Sequence, residues 1–583
     1  MLIKIFFNLL SSEDKKRTIF LVITFLSTSI LDVVGIASLL PFITILLDTT
    51  SIESSRLLQF LFDKTYYLHN NKLDFFIVFL GSFSILLIVF STIARSVSQY
   101  YMNLYVEKIR VSLSTRLFNA YLYAPYPVFF KKSNADISKT VITEVDYFID
   151  KVFRPTSFAA SHLIFSFILI SLLFYVDVFI SITAILTFGL FYLFVYKVFS
   201  GFLYDAGDSL ASSMLARHKH VYDSISMIKT IKVFRKEEFF FKKYTDSALI
   251  SAASQARFTT TNQISSYLAE GVIFVGVLTS ILIVIYTSGG TETKVIQQYA
   301  PIIALFTFAG IRMKPSLQNI YQGFSSLKFG EKIILNLSNS FSQIKEFRLL
   351  KSNTNQYELE NFKDSIVFKD VSFKYLHNQK QFEKINLEIA KNQKIGIMGK
   401  SGSGKSTLLD LLLGLSRPDS GKILVDGMEM DYSSLKGWHA LIGYVPQEVS
   451  TLEGSLVENI SLENPKLTTN LEALNKIIEF SRLENLKKGI SDNNDIRSIK
   501  ISDITISGGQ KQRIGIARAL FNNPEILIFD EITSSLDKAT EKEIIESIYS
   551  LSDKTIFIVS HNENILYGCD RVLFIENGKI TEL

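Results

Sequence analysis

The chain has 583 residues, too many for one ordinary domain, and 48% hydrophobic and 13% aromatic residues with a mean hydropathy of +0.25 make it too apolar for a soluble enzyme of that size. Its 61 Lys and Arg against 56 Asp and Glu leave a net +5, so charge gives no polyanion-binding bias and no nucleic-acid partner is expected. The single cysteine, Cys569, excludes an intramolecular disulfide framework and any multi-cysteine metal site, and reads as a small core residue.

The N-terminal stretch ends in Glu13-Asp14-Lys15-Lys16-Arg17 rather than at a small-residue cleavage site, so no cleavable signal peptide is expected. Hydrophobic runs follow at 18–47, 75–96, 158–176, 178–200, 268–288 and 298–320. Each approaches or exceeds the ~20 apolar residues that a membrane-crossing helix needs. Residues 1–336 are therefore expected to form an all-α transmembrane domain of six spans, with Asp177 in a tight turn between the third and fourth. Basic residues set its orientation. Lys4, Lys15, Lys16 and Arg17 precede the first span, and segments 97–157 and 201–267 carry Lys108, Arg110, Arg116, Lys131, Lys132, Lys219, Arg235 and Lys236 among others. The opposite loops hold only Arg56, Lys64, Lys72 and Lys294, so both termini are expected in the cytoplasm of a cell whose inner membrane the chain crosses.

The two basic segments mix charged residues with Tyr, Phe, Leu and Ile and contain little Gly or Pro, as expected for helices that continue beyond the bilayer. Asn134-Ala135-Asp136-Ile137-Ser138 and Asp223-Ser224-Ile225-Ser226 offer helix-start chemistry where such helices could turn back. Between the first two spans, Leu57, Leu58, Leu61, Phe62 and Leu68 recur among polar residues, a spacing that fits a short amphipathic surface helix over 54–68 or a packed loop. Residues 337–364 turn polar and read as a linker into a soluble domain over 365–583.

That domain opens its chemistry at Gly399-Lys400-Ser401-Gly402-Ser403-Gly404-Lys405-Ser406-Thr407, which follows the apolar run 395–398 and precedes Leu408-Leu409-Asp410-Leu411-Leu412-Leu413. Strand, glycine-rich turn and helix in that order let backbone N–H groups curl around phosphates at a helix N-terminus. Lys405 can reach the β- and γ-phosphates, and the Ser406 hydroxyl can ligate Mg²⁺. Further on, Ile526-Leu527-Ile528-Phe529 ends in Asp530 and Glu531: the first can hold Mg²⁺, the second can polarise the attacking water. Gln447 is a candidate for completing the metal sphere, and His561, after the run 555–560, for contacting the γ-phosphate. Ile506-Ser507-Gly508-Gly509-Gln510 before a basic helix makes a second anion-binding helix start.

At this stretch the chain closely resembles the ATP-binding cassette (ABC) transporters, and with its membrane half the ABC exporters. The resemblance implies a multidomain fold, an exporter-type six-helix membrane domain followed by an α/β P-loop nucleotide-binding domain, and ATP hydrolysis with Mg²⁺ coupled to transport. In the family's terms Gly399–Thr407 is Walker A, Ile526–Glu531 Walker B, Gln447 the Q-loop and Ile506–Gln510 the signature. Ser535-Leu536-Asp537 is then the D-loop, His561 the switch histidine and Tyr375 the aromatic that stacks on adenine. Each ATP is implied to lie between Walker A of one cassette and the signature of another. One cassette and six spans make a half-transporter, expected to pair with a second copy of itself or with a similar chain. Two departures stand out: Ile506 replaces the usual Leu, a near-isosteric exchange, and Lys500–Thr505 lacks a Gly-Glu-x-Gly pattern, which affects coupling.

For the cargo, the sequence offers no peptidase-like extension before the first span, which weighs against a leader-cleaving peptide exporter. Ser29 to Ile43, with Asp32 and Pro41-Phe42-Ile43-Thr44, is similar to the first helix of bacterial flippases for the lipid-linked oligosaccharides of protein N-glycosylation. Segment 54–68 resembles their external helix, and Arg312-Met313-Lys314-Pro315-Ser316 a stretch that gives their cavity a basic residue. A further basic residue of that group is Asn319 here. A polyprenyl-pyrophosphate glycan has an anionic head, so basic groups at membrane depth are needed, and Arg312, Lys314 and Arg95 are the candidates. A buried charge there is costly and faces a cavity or a partner; for Arg312 the alternatives are snorkelling or pairing with Asp32, and for Arg95 snorkelling. Another amphipathic cargo, such as a lipid A-like lipid, a peptide or a drug, and an ATP-gated channel or regulator are the competing readings.

Overall fold

A computed structural model describes residues 2–47, 52, 56–65, 72–130, 132–176, 178–287, 293–351, 361–374, 380–431, 434–463, 471–484, 500–501, 506–532 and 537–583. They fall into two compact units, one of residues 1–124 and 131–346 and the other of 125–130 and 347–583.

The first unit is helical. Helix α1 (Leu2–Leu9) packs Phe6 against Phe148 and in a stacked pair with Phe153. Helix α2 (Ser12–Ala37) starts where the Ser11 hydroxyl accepts from Asp14 N and the Asp14 carboxylate accepts from Ser11 N, a reciprocal cap. Asp14 is buried and also accepts from Ser112 Oγ at 2.9 Å, which ties this cap to a later helix. After α3 (Leu39–Leu47) comes α4 (Arg56–Thr65), the expected amphipathic helix. Its Leu58, Leu61 and Phe62 pack on Ile45, Phe76 and Leu80, so that face lies on the protein; Leu68 is outside the described residues.

Three helices are far longer than a bilayer requires: α5 (Lys72–Leu122) with 51 residues, then α8 (Val178–Ser226) with 49 and α10 (Glu237–Thr287) with 51. At helical rise each is about 75 Å long, against a hydrocarbon core of about 30 Å. The continuation expected from 97–157 and 201–267 is therefore real, and it follows from the near-absence of helix breakers. Between α5 and α8 the chain forms α6 (Asn134–Ser138), two π-helical stretches at Lys139–Glu144 and Ile149–Phe153, and α7 (Arg154–Val176). The Ser133 hydroxyl and Asp136 carboxylate cap α6 reciprocally, one residue before the start the sequence suggested. Asp223–Ser226 does not start a helix: α8 runs through Ser226 and the break falls at Met227, before α9 (Ile228–Phe234). Among the described residues, Ser12–Leu46, Leu73–Leu122 and Asn134–Val176 are long and apolar enough to cross a membrane. The runs at 178–200, 268–288 and 298–320 fall on α8, α10 and α11 (Thr293–Phe329), while Asp177 and residues 288–292 lie outside the described residues.

Beyond the apolar run of α5, Arg110 donates to Glu107, Asp146 and Asp150 at 2.8, 2.7 and 2.6 Å, clasping α5 to the π-helical region. Gly207 on α8 meets the end of α11: a Cβ there would stand 1.9 Å from the Phe329 carbonyl oxygen, so only glycine permits this approach. Helix α12 (Glu331–Lys351) occupies the first part of the expected linker, so 337–351 is helical, and 352–360 lies outside the described residues.

The second unit holds two larger sheets. An antiparallel sheet has the order β2-β1-β4-β5, from β1 (Ser365–Lys374), β2 (Lys380–Ala390), β4 (Ser420–Val425) and β5 (Met428–Glu429). The other runs β12-β11-β3-β10-β9-β6, from β3 (Lys394–Gly399), β6 (Ile442–Val445), β9 (Ile526–Asp530), β10 (Thr555–Val559), β11 (Arg571–Glu576) and β12 (Lys579–Glu582). All but β12 are parallel to their neighbours. Parallel strands covered on both faces read as unbroken apolar runs, and residues 526–529 and 555–559 are wholly buried. A ladder matching Val559 to both Ile397 and Asp530 brings the carboxyl ends of β3, β9 and β10 to one edge. That edge is where open α/β sheets bind ligands.

Candidate nucleotide site

At that edge β3 ends in Gly399, and the chain turns through Gly402 at φ +79° and Gly404 at φ +110° into α13 (Lys405–Leu412). Both conformations favour glycine, and a Cβ on Gly402 would meet nothing within 4 Å, leaving the backbone open on that side. The far end of α13 is anchored: the buried Trp438 indole donates to Leu412 O at 2.9 Å, and His439 Nε2 bonds Leu413 O at 2.7 Å. These contacts satisfy carbonyls that a short helix leaves unpaired.

Lys405 is buried, and its ammonium donates to the Gly399 and Lys400 carbonyls at 2.9 and 3.2 Å. Ser403 Oγ is buried without a hydrogen-bond partner. An unpartnered hydroxyl and a buried lysine ammonium, supplied by one loop of backbone amides at a helix N-terminus, fit a phosphate chain. Lys400 pairs with Glu576 at 3.4 Å, whereas Ser401 and Ser406 are exposed, the latter on the first turn of α13. Thr407 is buried on that turn.

Asp530 closes β9, and Glu531 follows at φ +52°. This left-handed backbone carries the Glu531 side chain away from the strand line, while its N–H still donates to Val559 O at 3.1 Å. Its carboxylate is held on both oxygens, by Gln447 Nε2 at 2.7 Å and by His561 Nε2 at 2.9 Å. The same His561 nitrogen lies 3.4 Å from Lys405 Nζ. Four residues from distant stretches thus form one chain of contacts, Gln447–Glu531–His561–Lys405.

Burial pushes the Asp530 carboxyl up to about 6, reinforced by Glu531 and opposed by Lys405. Burial likewise pushes Asp410 up to about 6, with Asp530 adding to it. Asp410, one helical turn beyond Ser406, had no assigned role in the sequence; its only signal is a lone carboxylate inside Leu408–Leu413. Crowded, partly desolvated acids gain most from a divalent cation, so Ser406, Asp530 and Gln447 are a donor set that suits Mg²⁺.

Ser507 caps α14 (Gly508–Leu520): its hydroxyl accepts from Gln510 N at 3.2 Å, and Gln510 Oε1 accepts from Ser507 N at 2.9 Å. Gly508 is exposed and Gly509 half-buried on the first turn, so this end faces outward. Asp537 caps α15 (Lys538–Tyr549) through Thr540, whose hydrogen bonds hold its carboxyl below the usual range. Tyr375, Ser535, Leu536 and 502–505 lie outside the described residues, and Lys500–Ile501 (β8) pairs with Gly454–Ser455 (β7).

In the helical unit the three candidate cavity cations part company. Arg95 pairs with the nearly buried Asp32 at 3.6 Å, so Asp32 is the partner of Arg95 and not of Arg312. Lys314 is bonded to Glu270. Arg312 has no hydrogen-bond or ion-pair partner for its guanidinium among the described residues. It shares a helix face with Ser316 and Asn319, at spacings of four and three. Ser316 Oγ and Asn319 Nδ2 bond the two ring nitrogens of His162 at 3.1 and 3.0 Å. His162, a lone histidine in an apolar run, was not singled out by the sequence.

Comparison with known proteins agrees with this architecture. A family model described as ABC transporter matches residues 382–534, and one described as ABC transporter transmembrane region matches 19–309. The alpha-hemolysin translocation ATP-binding protein HlyB of Escherichia coli is 27% identical over 514 residues, which are 85% of this chain and 68% of that protein. The leukotoxin translocation ATP-binding protein LktB of a Pasteurella haemolytica-like species is 36% identical over 242 residues, 40% of this chain and 34% of that one. A solved bacterial Atm1-family ABC exporter with ATP bound superposes with a TM-score of 0.76 at 16% identity, covering 98% of this chain and 95% of that one. The chain belongs to the ABC transporters, as an exporter with a helical transmembrane domain and a cassette that couples ATP hydrolysis to transport.

Proposed function

We propose that the chain works as a half-transporter, two copies forming an ATP-driven flippase that moves a polyprenyl-pyrophosphate-linked glycan across the cytoplasmic membrane, with both termini and the cassette in the cytoplasm. In each cassette the loop Gly399–Thr407 binds the phosphates through its amides, Lys405 and Ser403, and Tyr375 stacks on adenine. Ser406, Asp530 and Gln447 hold Mg²⁺, which when bound neutralises charge on the β- and γ-phosphate oxygens. Glu531 orients and polarises the attacking water, and His561 holds Glu531 in place and contacts the γ-phosphate. The outward-facing Ser507, Gly508, Gly509 and Gln510, with Asp537, serve the partner copy's ATP. Exposed Ile228, Val233 and Phe234 on α9 favour a paired state over an isolated chain.

The observation that carries the cargo reading is Arg312, a guanidinium on the helix face of Ser316 and Asn319 whose charge no neighbour among the described residues answers. An anionic head group is the natural counter-ion, and a planar fork suits phosphate oxygens. The competing reading is a polypeptide cargo, favoured by relatives whose names refer to hemolysin and leukotoxin translocation. Stimulation of ATP hydrolysis in nanodiscs decides between them. Polyprenyl-pyrophosphate glycan should stimulate, whereas an unfolded polypeptide and a neutral glycolipid should not; stimulation by polypeptide alone would transfer the chain to the second reading.

A further inference from the structure

A cavity of about 750 Å³ lies in the helical unit between α6, the π-helical stretch 139–144, α8 and α10. Its volume is that of a small-molecule site. Arg217 on α8 forms one wall, donating to Ser251 Oγ at 3.3 Å and Tyr244 Oη at 3.4 Å, with its guanidinium over the Tyr244 ring. Both bonds are long and to neutral oxygens, and the Arg217 Nε is buried with no partner. Next to it, His218 Nε2 bonds Thr143 Oγ1 at 3.1 Å. Burial, with help from Arg217 and Lys139, holds the His218 ring below its ordinary value, so it is neutral at pH 7.

Among the described residues, none that lines the cavity is acidic. The buried Glu144, next in sequence to Thr143, is already bound to Lys139 at 2.7 Å and to Asn336 at 3.4 Å, and no ion pair of Arg217 is found among the described residues. Thr143 belongs to the π-helical stretch, whose extra residue per turn is a feature common at functional sites. The remaining walls are mostly apolar, with Met214, Val221 and Ile225 on α8 and the Tyr244 ring opposite.

We propose that this cavity binds an amphipathic organic monoanion, its carboxylate or comparable acid on Arg217 and beside His218, its apolar body along Met214, Val221 and Tyr244. The source is a free solute and not a bilayer lipid, because Arg217 stands about 25 Å of helical rise past Ser200, the end of the apolar run. The site is independent of the transport cargo and of the nucleotide site.

The test is equilibrium dialysis of radiolabelled 1-naphthoate against the full chain in nanodiscs, with protein-free nanodiscs subtracted and neutral 1-naphthamide in parallel. Wild type should bind naphthoate saturably, with naphthamide at least tenfold weaker. Arg217→Gln should weaken naphthoate at least tenfold, and Arg217→Lys should keep part of the affinity. Ile225 is 65% exposed, so Ile225→Trp leaves the fold intact while crowding the cavity mouth, and it should also abolish saturable binding. Equal binding of naphthoate and naphthamide, no saturable binding to wild type, or affinity unchanged in both Arg217→Gln and Ile225→Trp overturns the assignment.

Discussion

The cassette and the helical unit use charge in opposite ways. In the cassette, Lys405, Asp530, Glu531, Gln447 and His561 come from four separate stretches, and parallel strands deliver them to one edge, where Gln447, Glu531, His561 and Lys405 contact one another and Asp530 feels the charges of Glu531 and Lys405. In the helical unit, the three candidate cavity cations lie along long helices: Arg95 pairs singly with Asp32 and Lys314 with Glu270, while Arg312 has no such partner among the described residues. A cluster of mutually tuned groups is the mark of chemistry; a single unanswered charge is the mark of a binding surface. The comparison teaches that loss of one cassette group should stop turnover, whereas loss of one helical-unit charge should change either stability or cargo, according to its partner.

The largest expected effect is at Glu531. Replacement by Gln keeps the side-chain size but turns one of the two accepting oxygens into a donor and removes the proposed general base, so ATP turnover should fall by ~10²–10⁴-fold with nucleotide binding retained. A steady-state phosphate-release assay beside a binding assay checks this; near-normal turnover would place the base elsewhere and weaken the contrast between the units.

Next comes Arg95→Gln, which leaves Asp32 nearly buried and without its cation. An orphaned buried polar group costs about 1–3 kcal/mol, so the purified protein should melt lower, and Asp32→Asn in the same chain should restore part of the loss. Arg312→Gln should not lower the melting temperature, having no partner to orphan. If the two arginine variants melt alike, the division into structural and functional cations is wrong.

The smallest effect concerns Asp530. Its folded value of about 6 lies above the usual aspartate value, so the folded state binds the proton more tightly. Ionising it therefore costs stability, absent below about pH 4 where both states are protonated and complete once the pH exceeds the folded value. Without Mg²⁺, Asp530→Asn should thus melt above wild type at pH 7.5, with the gap closing as the pH falls towards 4, while Mg²⁺-ATP stabilisation is lost. A gap independent of pH would assign the gain to something other than the Asp530 charge.

Legibility in the sequence followed the same division. Short motifs with fixed spacing disclosed the cassette, because glycine turns, buried strands and terminal carboxylates are local features. Even so, the Glu531–Gln447 contact and the crowding of Asp410 against Asp530 arise from strand pairing between distant parts of the chain, and no local pattern encodes them. In the helical unit, hydropathy disclosed the long helices and Asn134–Ser138 disclosed one start, although the capping hydroxyl proved to be that of Ser133, one residue earlier. The break at Met227 was missed because Asp223–Ser226 carries cap-like residues that a continuous helix tolerates on its surface, with Ser224 turned back onto His220 O. Which cation pairs with Asp32 depended on helix packing, and so did the His162–Ser316–Asn319 contacts.

The central claim is that Arg312 receives an anionic head group, and the most direct measurement is flipping of a fluorescent polyprenyl-pyrophosphate glycan in proteoliposomes by wild type, Arg312→Lys and Arg312→Ala, with a neutral glycolipid alongside. The account predicts that Arg312→Ala loses most flipping of the pyrophosphate cargo, that Arg312→Lys retains an intermediate rate, and that any slow movement of the neutral lipid is unchanged. Equal loss for both cargoes, or full activity of Arg312→Ala on the pyrophosphate glycan, would contradict it.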